Sequence, residues 1–96
     1  MIRISESEIE RCIHRFNKQD IVMYLKGTVI AEVKIENARC VYNRAVRILE
    51  ISNKQLKFEF NIDCLYRIGI CTNEKLVIMF FDNGINLILE KEEKIG

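Results

Sequence analysis

The spacing of apolar positions changes period once along this chain, near Asp20. Before that point Ile9, Cys12, Ile13 and Phe16 recur at i, i+3, i+4 and i+7, the single stripe of an amphipathic helix. Glu6, Glu10, Arg11, His14, Arg15 and Lys18 fall elsewhere on the wheel, acidic residues first and basic ones last, as the helix dipole favours. Ser5-Glu6-Ser7-Glu8 fits a capping box, with the Ser5 hydroxyl accepting from the Glu8 amide and the Glu8 carboxylate reaching back. Ile4 and Ile9 flank it as a hydrophobic staple. The pattern predicts a helix over about residues 6–17, laid across a sheet by its apolar face.

From Asp20 onward the period is two, that of strands. Residues 21–25 form a short apolar strand, ended or bulged at Lys26-Gly27. In 29–36, Val29, Ala31, Val33 and Ile35 alternate with Ile30, Glu32, Lys34 and Glu36, and Asn37-Ala38-Arg39 reads as a turn. Segments 41–51 and 56–62 agree as a hairpin about Asn53-Lys54. Ile51 then faces Leu56, Leu49 faces Phe58, Arg47 faces Phe60 and Ala45 faces Ile62, with Glu50 opposite Lys57 on the other side. Only Arg47 interrupts the apolar face. Residues 65–72 carry Tyr66, Ile68 and Ile70 on one side, and Thr72-Asn73-Glu74-Lys75 turns the chain again.

The strongest hairpin signal joins 76–82 to 85–90 through Asn83-Gly84, a dipeptide suited to a type I′ loop. A two-residue loop sets Phe80 against Leu87, Ile78 against Leu89 and Met79 against Ile88, so both sides are almost wholly apolar. Such a pair belongs in the middle of a fold. The expected class is α+β and mainly β. An N-terminal helix precedes five or six short, mostly antiparallel strands that form a strongly curved sheet or small barrel, in one domain spanning 1–96.

Composition narrows the functional classes. At 96 residues with 49% hydrophobic side chains, most apolar residues are needed for the core. A net charge of +1 gives no bulk attraction to nucleic acid or acidic membranes. Cys12, Cys40, Cys64 and Cys71 are widely spaced without a C-x-x-C pair, and His14 alone cannot complete a zinc site. They read as small core residues of a reduced, cytoplasmic protein without metal or cofactor. The longest apolar run, Leu76 to Phe81, is far short of a membrane span. Abundant Ile, Lys, Asn and Glu with no Pro match A+T-rich codons, as in bacteria and phages.

The glycines stand alone, outside any phosphate-loop pattern, and no nucleophile elbow, H-E-x-x-H or calcium loop occurs. Catalytic residues are therefore not assigned. Arg39, Arg44, Arg47 and Arg67, with Tyr42 and Tyr66, offer a basic, aromatic patch if the sheet bends enough to gather them. If only one side of the Asn83-Gly84 hairpin is covered, Val77, Met79, Phe81 and Ile88, beside Asn86, form a partner surface. Any unpaired strand offers β-augmentation or self-association. The expectation is a small non-enzymatic binding module that engages and inhibits or regulates a larger protein, of the kind phages and bacteria use as accessory or anti-defence factors. The alternative is a nucleic-acid-binding small barrel. A helix followed by about five bent strands is similar in order to the Sm-like arrangement, and oligonucleotide-binding barrels share the strand-rich plan.

Overall fold

The computed structural model describes residues 5–70 and 75–92. Helix α1 (Glu6–His14) leads into β1 (Gln19–Lys26), β2 (Ile30–Asn43), β3 (Ile48–Ser52) and β4 (Lys57–Asn61). A single 3₁₀ turn (Ile62–Cys64) then passes to β5 (Leu65–Ile70), β6 (Leu76–Phe81) and β7 (Asn86–Lys91). The chain is α+β and mainly β, with seven strands among the described residues rather than five or six. They form one antiparallel sheet in the order β4-β3-β2-β1-β7-β6-β5. This sheet is not closed. Its two edge strands are consecutive in sequence, so the 3₁₀ turn draws them to a shared corner without pairing them.

The helix forms as its sequence demands. Ser5 Oγ accepts from the Glu8 amide at 3.1 Å, a cap worth about 1 kcal/mol. Ile9, Cys12, Ile13 and Phe16 are all buried. Regular helix stops at His14, short of residue 17, because the last turn tightens: Phe16 N–H donates to Ile13 O and Asn17 N–H to His14 O. Lys18, at φ 62°, then reverses the chain and donates to Ala38 O at 2.7 Å. The staple residue Ile4, Cys71 and most of the turn at 72–75 lie outside the described residues.

The predicted turn at Asn37-Ala38-Arg39 is instead the middle of β2. Asn37 adopts φ 49° at a register shift opposite Asp20, whose Oδ1 accepts the Asn37 N–H at 2.9 Å. Asparagine tolerates this left-handed geometry in a turn and in a β-bulge alike, so the sequence cue is shared. The bulge lets one long strand pair with β1 through its first half and with β3 through Arg39–Asn43. The chain reverses at 44–47, so 41–51 is not one strand.

In the β3–β4 hairpin Ile51 pairs with Phe58 and Leu49 with Phe60, two residues from the predicted register. Asn53 Oδ1 accepts from the Gln55 and Leu56 amides, both at 2.8 Å, which makes Asn53 the first residue of the turn and Lys54-Gln55 its centre. A shift of two keeps every side chain on its face. It also sets Glu50 against Glu59 rather than Lys57.

The β6–β7 hairpin differs by one residue: Val77 pairs with Leu89, Ile78 with Ile88 and Met79 with Leu87. Its loop is Asp82-Asn83-Gly84, with Gly84 at φ 86° and Phe81 N–H donating to Ile85 O at 3.0 Å. This three-residue loop with a left-handed glycine adds the extra residue. Val77, Met79, Phe81, Leu87 and Leu89 all enter the core with Ile21, Met23, Ile35, Leu49 and Ile51. Ile88 turns to the outer face, half-buried between Tyr24 and Ile78.

Candidate functional site

α1 occupies one end of the curled sheet, where Lys91 at the end of β7 lies over Phe16, 5.9 Å from the ring centre. At the other end of β1 and β7 the sheet opens on a cavity of about 710 Å³. Its walls come from Leu25 and the β1–β2 connection, from β4, and from the β6–β7 loop. Phe60 and Phe81 both line it, with ring centres 6.3 Å apart and planes 28° from parallel. Gly27 permits the tip of the β1–β2 hairpin to approach the neighbouring loop, since a Cβ there would stand 3.4 Å from Ile85 Cγ1.

The rim is mixed and wet: exposed Lys26, Thr28, Glu59, Asn61 and Asn83 line it together with exposed aliphatic side chains. Val29 is 75% exposed and Ile85 38%, and Ile30, next to Val29, is 74% exposed. Monomeric domains seldom leave large aliphatic side chains so open in a cluster beside a recess. Cys64 contributes to the same wall. Burial pushes its thiol pKa up, and the negative charges of Asp82 and Asp63, with a hydrogen bond to Asp82, push it the same way. A neutral thiol is a weaker nucleophile than a thiolate.

A second cluster fastens the helix. Arg47 donates from Nη1 to Glu6 Oε1 at 2.7 Å and from Nε to Asp63 Oδ1. Arg44 pairs with Glu10, donating from Nε at 2.6 Å. The Tyr42 hydroxyl donates to Glu6 Oε1 at 3.1 Å; burial first and this bond second raise its pKa. The first turn of α1 is thus clamped to the β2–β3 connection and the 3₁₀ turn.

These placements decide what became of the residues singled out from sequence. Tyr42, Arg44 and Arg47 do come together, but they satisfy Glu6, Glu10 and Asp63. Arg39 is exposed on β2, whereas Arg67 lies on β5, 5.5 Å from the Phe80 ring centre, beside Tyr66. Three strands separate β2 from β5 in the sheet. Val77, Met79 and Phe81 are core residues, at 1%, 0% and 5% exposure, so they offer no surface. Asn86 and Ile88 are half-buried on the outer face.

Sequence reasoning missed the rim. One signal was present: Val29 and Ile30 are adjacent, and neighbours on a strand point to opposite faces, so a single core cannot bury both. Among the described residues no group of three or more His, Cys, Asp or Glu side chains is placed to hold a metal ion. No helix among them is long and apolar enough to cross a membrane.

No protein-family model matches the chain, and no curated protein matches it either. Among solved structures it is similar to the inner membrane complex sub-compartment protein 3 of Toxoplasma gondii, at a TM-score of 0.50 and 10% sequence identity. The likeness covers 96% of this chain and 75% of that one, and it concerns the fold.

Proposed function

We propose that this chain is a small non-enzymatic binding module that engages another protein and regulates or inhibits it. The observation that carries this reading is the recess of about 710 Å³ with Val29 and Ile85 exposed at its rim and Ile30 exposed next to Val29. A recess lined by Leu25, Phe60 and Phe81 accepts an aliphatic or aromatic anchor from a partner, and the rim residues exclude water around it. The ion pairs of Arg44 and Arg47 take support away from the nucleic-acid alternative, because their guanidinium groups are occupied within the fold.

The test is affinity capture with the full chain beside a Val29→Ser/Ile30→Ser variant. Both side chains are about three-quarters exposed, so the variant keeps its fold and its circular dichroism. A protein retained by the native chain and lost by the variant supports the reading. Capture that is indifferent to the two substitutions, or the absence of any retained protein, overturns it.

A further inference from the structure

β4 pairs with β3, and among the described residues no strand pairs with its other side. Asn53 N–H donates to Leu56 O at 2.9 Å, and Ile62 N–H donates to Arg47 O at 2.9 Å. Hydrogen-bonded pairs alternate along an antiparallel ladder, so Ile51–Phe58 and Leu49–Phe60 belong to the same bonded set. Lys57, Glu59 and Asn61 therefore turn their N–H and C=O groups away from β3, toward the open side.

The edge is regular. β5, at the opposite edge, is blunted by a register shift between Leu65 and Arg67, whereas β4 pairs residue for residue from Lys57 to Asn61. The edge also carries an excess of negative charge: Glu50 and Glu59 face one another directly and, among the described residues, share one cation, Lys57, at 3.5 and 3.4 Å. Like charges directly opposite one another destabilise a strand pair.

We infer that β4 pairs antiparallel with β4 of a second copy of this chain, about a two-fold axis at Phe58. Three registers bring outward-facing backbone groups together near the strand centre. One sets Lys57 against Lys57 and another sets Glu59 against Glu59. The third sets Lys57 of each copy against Glu59 of the other, and only this one pairs opposite charges, twice by symmetry. It brings a second cation to the Glu50–Glu59 pair, beside the chain's own Lys57. On the core side it sets Phe58 against Phe58, at the close spacing of a non-bonded pair, and Leu56 against Phe60. Leu56 is 36% exposed and Phe58 and Phe60 are half-buried, so the apolar row continues from one copy into the next.

Sedimentation velocity of the full chain over a range of concentrations tests this, with Glu59→Lys and Lys57→Glu/Glu59→Lys variants alongside. Both variants place lysine opposite Glu50, which keeps the fold, and thermal melts confirm it. The native chain is expected to dimerise. Glu59→Lys sets lysine against lysine across the axis and weakens the dimer by about tenfold or more. The double variant restores it by reversing both partners. A chain that stays monomeric, a dimer indifferent to Glu59→Lys, or a double variant no better than the single one overturns the inference.

Discussion

Arg47 shows how one residue carries two opposed demands. Its backbone takes φ 55°, a region that costs a side-chain-bearing residue about 1 kcal/mol relative to glycine. Its guanidinium holds Glu6 of the helix and Asp63 of the 3₁₀ turn, and charge-assisted hydrogen bonds of this kind are stronger than neutral ones. The strain is tolerated because those two contacts fix both ends of the clamp. Replacing Arg47 with alanine should lower the urea midpoint, since it keeps the strained backbone and loses both carboxylates. Replacing it with glycine should lower the midpoint less, by an amount reporting the released strain. Equal losses in the two variants would show that the backbone geometry costs nothing. From sequence Arg47 stood out as the one charged residue on an apolar face; its partners were not legible, because Glu6 is 41 positions away.

At the scale of elements, the alternation within each segment was legible and the registers between segments were not. The helix stripe of Ile9, Cys12, Ile13 and Phe16 follows from period alone, and it is buried as read. Hairpin registers depend on loop conformation, which a dipeptide only partly determines. Asn53 opens its turn, and Gly84 closes a three-residue loop rather than sharing a two-residue one. The first difference moved the register by an even number and preserved the faces; the second moved it by one and sent Ile88 outward. Gly84→Ala is expected to destabilise the protein by about 1 kcal/mol through φ 86° alone, since a Cβ there meets nothing within 4 Å. Gly27→Ala should cost less, because its nearest neighbour is the Ile85 side chain at 3.4 Å and the backbone atoms Gly84 O and Ile85 Cα stand at ordinary contact distances of 3.7 and 3.8 Å. Chemical denaturation of the pair checks the order, and a neutral Gly84→Ala would contradict a left-handed glycine in the loop.

At the scale of the whole molecule, pH reports how tightly α1 and the sheet enclose the core. Asn17 at the end of the helix segment accepts from the Cys40 amide through its side chain, and the Cys40 side chain is buried. Burial alone pushes the Cys40 thiol from 9.0 to about 12. The unfolded chain then releases this proton first, so stability falls as pH rises. The contribution is fully present below about pH 9 and is lost toward about pH 12, at up to about 1.4 kcal/mol per pH unit. Cys40→Ala should flatten this part of the profile relative to the native chain, with shared lysine and tyrosine titrations cancelling in the difference. Parallel profiles would mean that water reaches the thiol in the folded state. The amino-acid sequence by itself determined the helix, its cap, its buried stripe, the strand-forming segments and the mainly-β class, because each depends on residues within a few positions of one another. Only the tertiary structure decided the bulge at Asn37, the partners of Arg47, the cavity behind Val29 and Ile85, and the open edge at β4. Each of these depends on how distant segments pack once the sheet curls, and chain closure over tens of residues leaves no local trace.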